Sequence, residues 1–309
     1  MKIRYVIGFI VLYSIFIEIA YAQTNVWRKN RKEYLFGFGA TNFLGELGGA
    51  DQIGTNGLKD FDWPSVRPDI MIGYRYRLSR QSAIKTNLYY VRLAGNDKWT
   101  EEPFRNNRNL NFRSPVVELS TQFEYSVVRE RPGHLYNLKG VRGWRFIQIN
   151  TYFFAGIGVM YFNPRGKYEG DWYSLRPLST EGQGLIETRK EYSPVQLVIP
   201  FGVGFKYAIN KDLSVGIEYG IRKTFTDYID DVSKTYFDPV YLGGEKGPMA
   251  PLLANPTNYS LPLELGNPLK ATAPGQQRGD PTDLDSYMLA VISFYYKISS
   301  GRFTLPKFR

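Results

Sequence analysis

Val117-Glu118-Leu119-Ser120-Thr121-Gln122-Phe123-Glu124-Tyr125-Ser126-Val127 alternates without a break. Val117, Leu119, Thr121, Phe123, Tyr125 and Val127 share one parity, and Glu118, Ser120, Gln122, Glu124 and Ser126 share the other. Side chains on a strand project to opposite faces with period two, so this segment has one apolar wall and one charged wall. In a soluble sandwich the apolar wall would be the core. In a membrane barrel it faces lipid, and the charged wall fills the lumen.

The same alternation recurs over residues 33–42, 69–78, 82–93, 116–128, 147–161, 195–209, 213–222 and 286–298, which gives eight strands. An even count is what single-chain bacterial barrels use. The fold expected is therefore all-β, an eight-stranded antiparallel transmembrane β-barrel. Asn210-Lys211 reads as a tight turn, as does Ser79-Arg80-Gln81, whereas 43–68, 94–115, 162–194 and 226–285 read as long loops. Barrels of this class keep short turns in the periplasm and long loops outside, which puts both termini in the periplasm.

The start of the chain agrees with export. Lys2 and Arg4 precede the apolar run 5–17 and then Ala20-Tyr21-Ala22, the charge, length and small-residue spacing of a cleaved secretory signal over residues 1–22. Thirteen apolar residues are too few for a spanning helix, which needs about 20. The barrel domain is then 23–309, with 226–285 as its longest extracellular loop. Cysteine is absent, so neither disulfides nor a lipoprotein anchor contribute. The formal net charge of +10 suits anionic lipopolysaccharide or an acidic partner protein. Export makes nucleic acid the poorest match.

By parity, Arg75, Arg77, Lys85, Glu118, Glu124, Lys206, Glu218 and Arg222 point into the lumen. An eight-stranded barrel is just wide enough for its own side chains to fill the interior, and an unpaired buried charge costs several kcal/mol. The expectation is a structural plug of ion pairs, with a proton or ion pathway as the open alternative. Gly37-Phe38-Gly39, Gly156-Ile157-Gly158 and Gly202-Val203-Gly204 do not open helices, so they read as small residues facing a crowded lumen rather than as phosphate loops.

One connection is too long for its place. Residues 129–146 hold Arg129, Arg131, Lys139, Arg142, Arg145, Trp144 and a single acid, Glu130. Basic side chains around an aromatic anchor suit a protein contact, so Arg131, His134, Lys139, Arg142, Trp144 and Arg145 are the candidate partner-binding residues. His134 is the only histidine. With no cysteine beside it, neither an enzyme activity nor a cofactor is expected. Asp280, Asp283 and Asp285 lack a full calcium ligand spacing, and no metal is expected. Arg278-Gly279-Asp280 is a common tripeptide without weight, and Asn258-Tyr259-Ser260 is a glycosylation sequon. In RNNRNLNFRSP, residues 105–115, the arginines read either as a solvated rim or as partners of Glu118 and Glu124.

The run 37–47 (GFGATNFLGEL), IGYRYRLS at 72–79, RNLNFRSPVVELSTQFEY at 108–125 and DSYMLAVISFYYK at 285–297 together resemble the PorG-like outer-membrane proteins of the Bacteroidota. That resemblance implies a component of the type IX secretion machinery, linked in some members to gliding. Its implied partners are outer-membrane lipid and periplasmic ring proteins of the PorK/GldK and PorN/GldN type, which the barrel would anchor. The loop 226–285 is longer than the family implies. A small passive channel or a surface adhesion barrel is the competing reading.

Overall fold

Alternation alone leaves each strand with unpaired backbone groups along both edges, and a ring removes every edge. The computed structural model describes residues 30–47, 63–130, 149–210 and 212–298. Its strands are β1 (Lys32–Leu44), β2 (Arg67–Arg77), β3 (Ser82–Asn96), β4 (Asn111–Ser126), β5 (Asn150–Phe162), β6 (Arg165–Tyr168), β7 (Asp171–Ser174), β8 (Val195–Ala208), β9 (Leu213–Thr224) and β10 (Ser286–Ile298). Eight of them form a closed antiparallel barrel in the order β1-β2-β3-β4-β5-β8-β9-β10. The ring closes through β10 on β1, in register from Lys32↔Ile298 to Leu44↔Ser286. β6 and β7 are a side hairpin, bridged to β4 at Arg113↔Arg165.

The outward face is apolar around the ring. Ile157 is 72% exposed, Leu197 61% and Leu119 55%. So much exposed aliphatic and aromatic surface would aggregate in water, and it matches the lipid-facing band of a membrane barrel. No helix among the described residues is long and apolar enough to cross a membrane.

Side-chain chemistry sets the two short turns. Ser79 Oγ accepts from the backbone N–H groups of Gln81 and Ser82, and Asn210 Oδ1 accepts from those of Asp212 and Leu213. Inward glycines make room for bulk opposite them. A Cβ on Gly204 would lie 2.2 Å from Cζ of Tyr152, its register partner on β5.

Three boundaries differ from the sequence reading. β3 and β4 continue their pairing to Asn96↔Asn111, so the loop expected over 94–115 shrinks to 97–110. Loop 162–194 contains the β6–β7 hairpin, and 226–285 contains the helices Pro239–Lys246, Met249–Ala254 and Pro268–Ala271. Each gain comes from contacts between loops, which no local period reveals. The signal segment 1–22, the connection 131–148 and the tail 299–309 lie outside the described residues.

Candidate functional site

The lumen is built in layers from the short-turn end upward. Glu130 turns in below the strands, where its carboxylate sits 2.7 Å from Lys297 Nζ, 3.4 Å from Lys206 Nζ and 3.5 Å from Arg77 Nη1. One layer up, Glu33 Oε2 pairs Lys206 at 2.6 Å and Arg75 at 3.0 Å, and Arg75 Nε reaches Glu124 at 2.5 Å. Lys85 Nζ then bridges Glu124 at 3.1 Å and Glu218 at 2.5 Å. Tyr152 and Tyr295 both donate their hydroxyls to Glu218 Oε1, at 2.6 and 2.8 Å. Above them Tyr287 donates to Glu118 Oε2 at 2.7 Å, and Arg222 pairs the same oxygen at 3.6 Å.

These charges are almost wholly buried: Lys85, Glu118 and Glu124 are 0% exposed, and Arg75, Arg77, Lys206, Glu218 and Arg222 lie between 1% and 4%. Among the described residues six cations (Arg75, Arg77, Lys85, Lys206, Arg222 and Lys297) pair with Glu33, Glu118, Glu124, Glu130 and Glu218, and a further acid, Asp69, is buried in the same interior. Near-neutrality is what makes such burial tolerable, because each ion removed from water must recover its hydration from partners. The long-loop end of the lumen is apolar. Phe43, Val91, Phe112, Val116, Phe162, Val198, Ile229 and Leu289 form one buried cluster there. Packed in this way, these described side chains line the interior and tie its strands together.

Sequence reading passed over several members of this network. Glu33 and Lys297 have inward parity on β1 and β10, so the period could have found them. Glu130 could not be found that way, because the chain folds inward after β4 has ended. Arg131, His134, Lys139, Arg142, Trp144 and Arg145 lie outside the described residues.

The long loops knit into a crown over the apolar end. Glu181 accepts from the backbone of Ser233 and Lys234 and from Arg278 Nη1 at 2.8 Å. Arg108 forks onto Asp97 through two 2.8 Å contacts and also donates to the Arg278 carbonyl at 2.6 Å. Tyr192, stacked on Tyr228 with ring centroids 4.7 Å apart, donates to Asp231 at 2.7 Å. The solvated-rim reading of 105–115 holds for Arg113, which is exposed, but both readings need correcting at Arg108. Arg108 is neither solvated nor paired with Glu118 or Glu124; it serves Asp97 and the crown, where a closer carboxylate outcompetes the lumen. Arg278 is 2% exposed, so the Arg-Gly-Asp tripeptide is a structural arginine followed by a turn.

The crown also gathers acids. Glu46, Asp230 and Asp285 each place a carboxylate oxygen within 4.8 Å of the others. Asp280 and Asp283, which the sequence groups with Asp285, are not members of this set. Asp230 accepts from Leu47 N at 3.1 Å and Asp285 from Ile229 N at 2.8 Å, which joins the first loop to the last. Burial, then the neighbouring Asp230 and Asp227, push the Glu46 carboxyl up to about 10. Burial likewise lifts Asp227 to about 8 and Asp230 to about 7, and Asp285 well above the ordinary range. Shared protons neutralise such a cluster, as would a hard cation. Three carboxylates supply only part of the roughly six to eight oxygens that calcium takes.

Residues 11–238 match the family described as a domain of unknown function, DUF6089. The chain belongs to this family. The DUF6089 match ends at the residue that caps helix Pro239–Lys246, so the helical part of the crown and β10 fall beyond it. No curated protein matches the chain in sequence. Among solved structures the chain is similar to Ail, the attachment invasion locus protein of Yersinia pestis, with 7% identity and a TM-score of 0.37 over 87% of this chain and 99% of that one. It is also similar to the N-terminal β-barrel domain of Pseudomonas aeruginosa OprF, with 7% identity and a TM-score of 0.33 over 87% and 98%. Neisserial surface protein A gives 8% identity and a TM-score of 0.35 over 86% and 97%.

Proposed function

We propose that this DUF6089 chain is a non-enzymatic outer-membrane barrel that works as a membrane-held platform rather than as a conduit. The observation that carries this reading is the lumen, whose ion pairs and apolar cluster leave the interior to structure. In this reading the crown is extracellular and the short-turn end, with both termini, is periplasmic, as barrels of this build are oriented. The resemblance to PorG-like proteins narrows the platform to a type IX secretion component that anchors a periplasmic ring of PorK/GldK and PorN/GldN type. Support for that contact is the basic connection with its aromatic anchor. The competing surface-attachment reading draws support from the folded crown, while a passive channel is hard to square with a filled lumen.

Charge reversal tests the anchor. Arg142→Glu combined with Arg145→Glu is expected to weaken capture of periplasmic ring proteins from solubilised membranes, with the loss largest at low salt and shrinking as salt is raised, while boiled and unboiled samples still migrate differently on gels. Full capture by the folded double variant at low and moderate salt would remove the connection from the account.

A further inference from the structure

A groove of about 1150 Å³ lies beside the barrel at the foot of the crown, between the extended β3–β4 pair, the β6–β7 hairpin and the segment around Thr257. Six cations line it: Arg67, Arg92, Lys98, Arg113, Arg165 and Lys167. Glu169, in the hairpin turn, is the acid among its lining residues. None of the six makes an ion pair within the described residues, although the lumen and crown pair theirs closely. Arg113 and Arg165 even stand directly opposite each other across the β4–β6 bridge. Like charges in that position destabilise a strand pair unless something neutralises them. Arg165 Nε is shielded from solvent and has no acceptor.

The cations are also held in place. Arg113 lies 4.0 Å over the Trp172 ring and Arg67 lies 5.3 Å over Trp99. Asn111 Oδ1 accepts from Lys167 N at 2.7 Å, which fastens the hairpin to β4. Aromatic faces beside guanidinium groups suit a saccharide that carries anions, because the rings take the sugar's apolar face and the cations take its phosphates.

Position identifies the source. On β3 the outward face climbs from Leu88 and Tyr90, 41% and 39% exposed, directly to Arg92. On β4 it climbs from Leu119 and Val117, 55% and 41% exposed, through Pro115 to Arg113. The groove therefore begins where the lipid-facing band ends, on the same face, at the level of lipid headgroups. We propose that it binds the phosphorylated saccharide headgroup of an outer-leaflet glycolipid. This rests on the outer-membrane reading and is independent of any secretion role.

The test uses full-length protein in detergent, titrated with phosphorylated lipid A, dephosphorylated lipid A, inorganic phosphate and a soluble sulfated oligosaccharide. Gel heat-modifiability reports the folded barrel separately, so failure of the barrel reading and failure of the site are distinguishable. Phosphorylated lipid A is expected to bind most tightly, and Arg92→Gln with Arg113→Gln, both exposed positions, is expected to bind it about tenfold or more weakly. Lys190→Gln with Lys32→Gln, at exposed positions that do not line the groove, removes the same charge and should leave binding unchanged. Equal binding by the groove variant, equal loss in the control, or preference for dephosphorylated lipid A would overturn the proposal. So would preference for either soluble anion.

Discussion

Glu218→Ala is expected to destabilise the barrel by about 3 kcal/mol, the low end of the cost of breaking a buried ion pair, because Lys85 keeps its second partner Glu124. Lys85 Nζ lies 2.5 Å from Glu218, and the hydroxyls of Tyr152 and Tyr295 converge on the same oxygen. Alanine leaves all three without that acceptor at a depth water does not reach. Urea titration of the refolded protein, followed by the gel shift between folded and unfolded forms, gives the loss. Glu218→Leu with Lys85→Met should recover much of it, because a buried pair replaced by apolar groups of similar volume is near neutral. A single variant with an unchanged midpoint would mean that the layers of charge contribute nothing to the fold.

The second large effect lies on the opposite wall of the same strands. Ile157, 72% exposed at mid-strand on β5, faces lipid in this account. Ile157→Arg should cost about 2 to 4 kcal/mol near the bilayer midplane. Gln196→Arg, at the long-loop end of β8 where the native side chain donates to Ser193 O, should escape that penalty. Yields of heat-modifiable protein from membranes provide the comparison. Equal yields would show that the exposed face of β5 does not contact lipid.

Much of this architecture was legible in the sequence, for a simple reason. Period two is local, so Val117 to Val127 alone separates a lipid wall from a lumen wall, and the parity of Arg75, Lys85 or Glu218 follows from its neighbours. The short turns were legible because Ser79 and Asn210 carry their own hydrogen bonds. What stayed hidden depends on residues far apart in the chain. Glu181 and Arg278 meet across 97 positions, and Arg108 reaches the Arg278 carbonyl across 170. Nothing near Arg108 announces that its guanidinium is buried. The groove was hidden for a related cause: Arg92, Arg113 and Arg165 sit in separate segments, and only the register of β3, β4 and β6 sets them side by side. That Asp285 is buried beside Glu46 and Asp230 was hidden in the same way, since those neighbours come from elsewhere in the chain.

The central claim is that the lumen is structural. Planar-bilayer recording of the purified full-length protein addresses it most directly, with insertion verified by protease protection of the reconstituted barrel. The account predicts a current at the bare-membrane baseline across the accessible voltage range. A stable, reproducible open level in the native protein would contradict it.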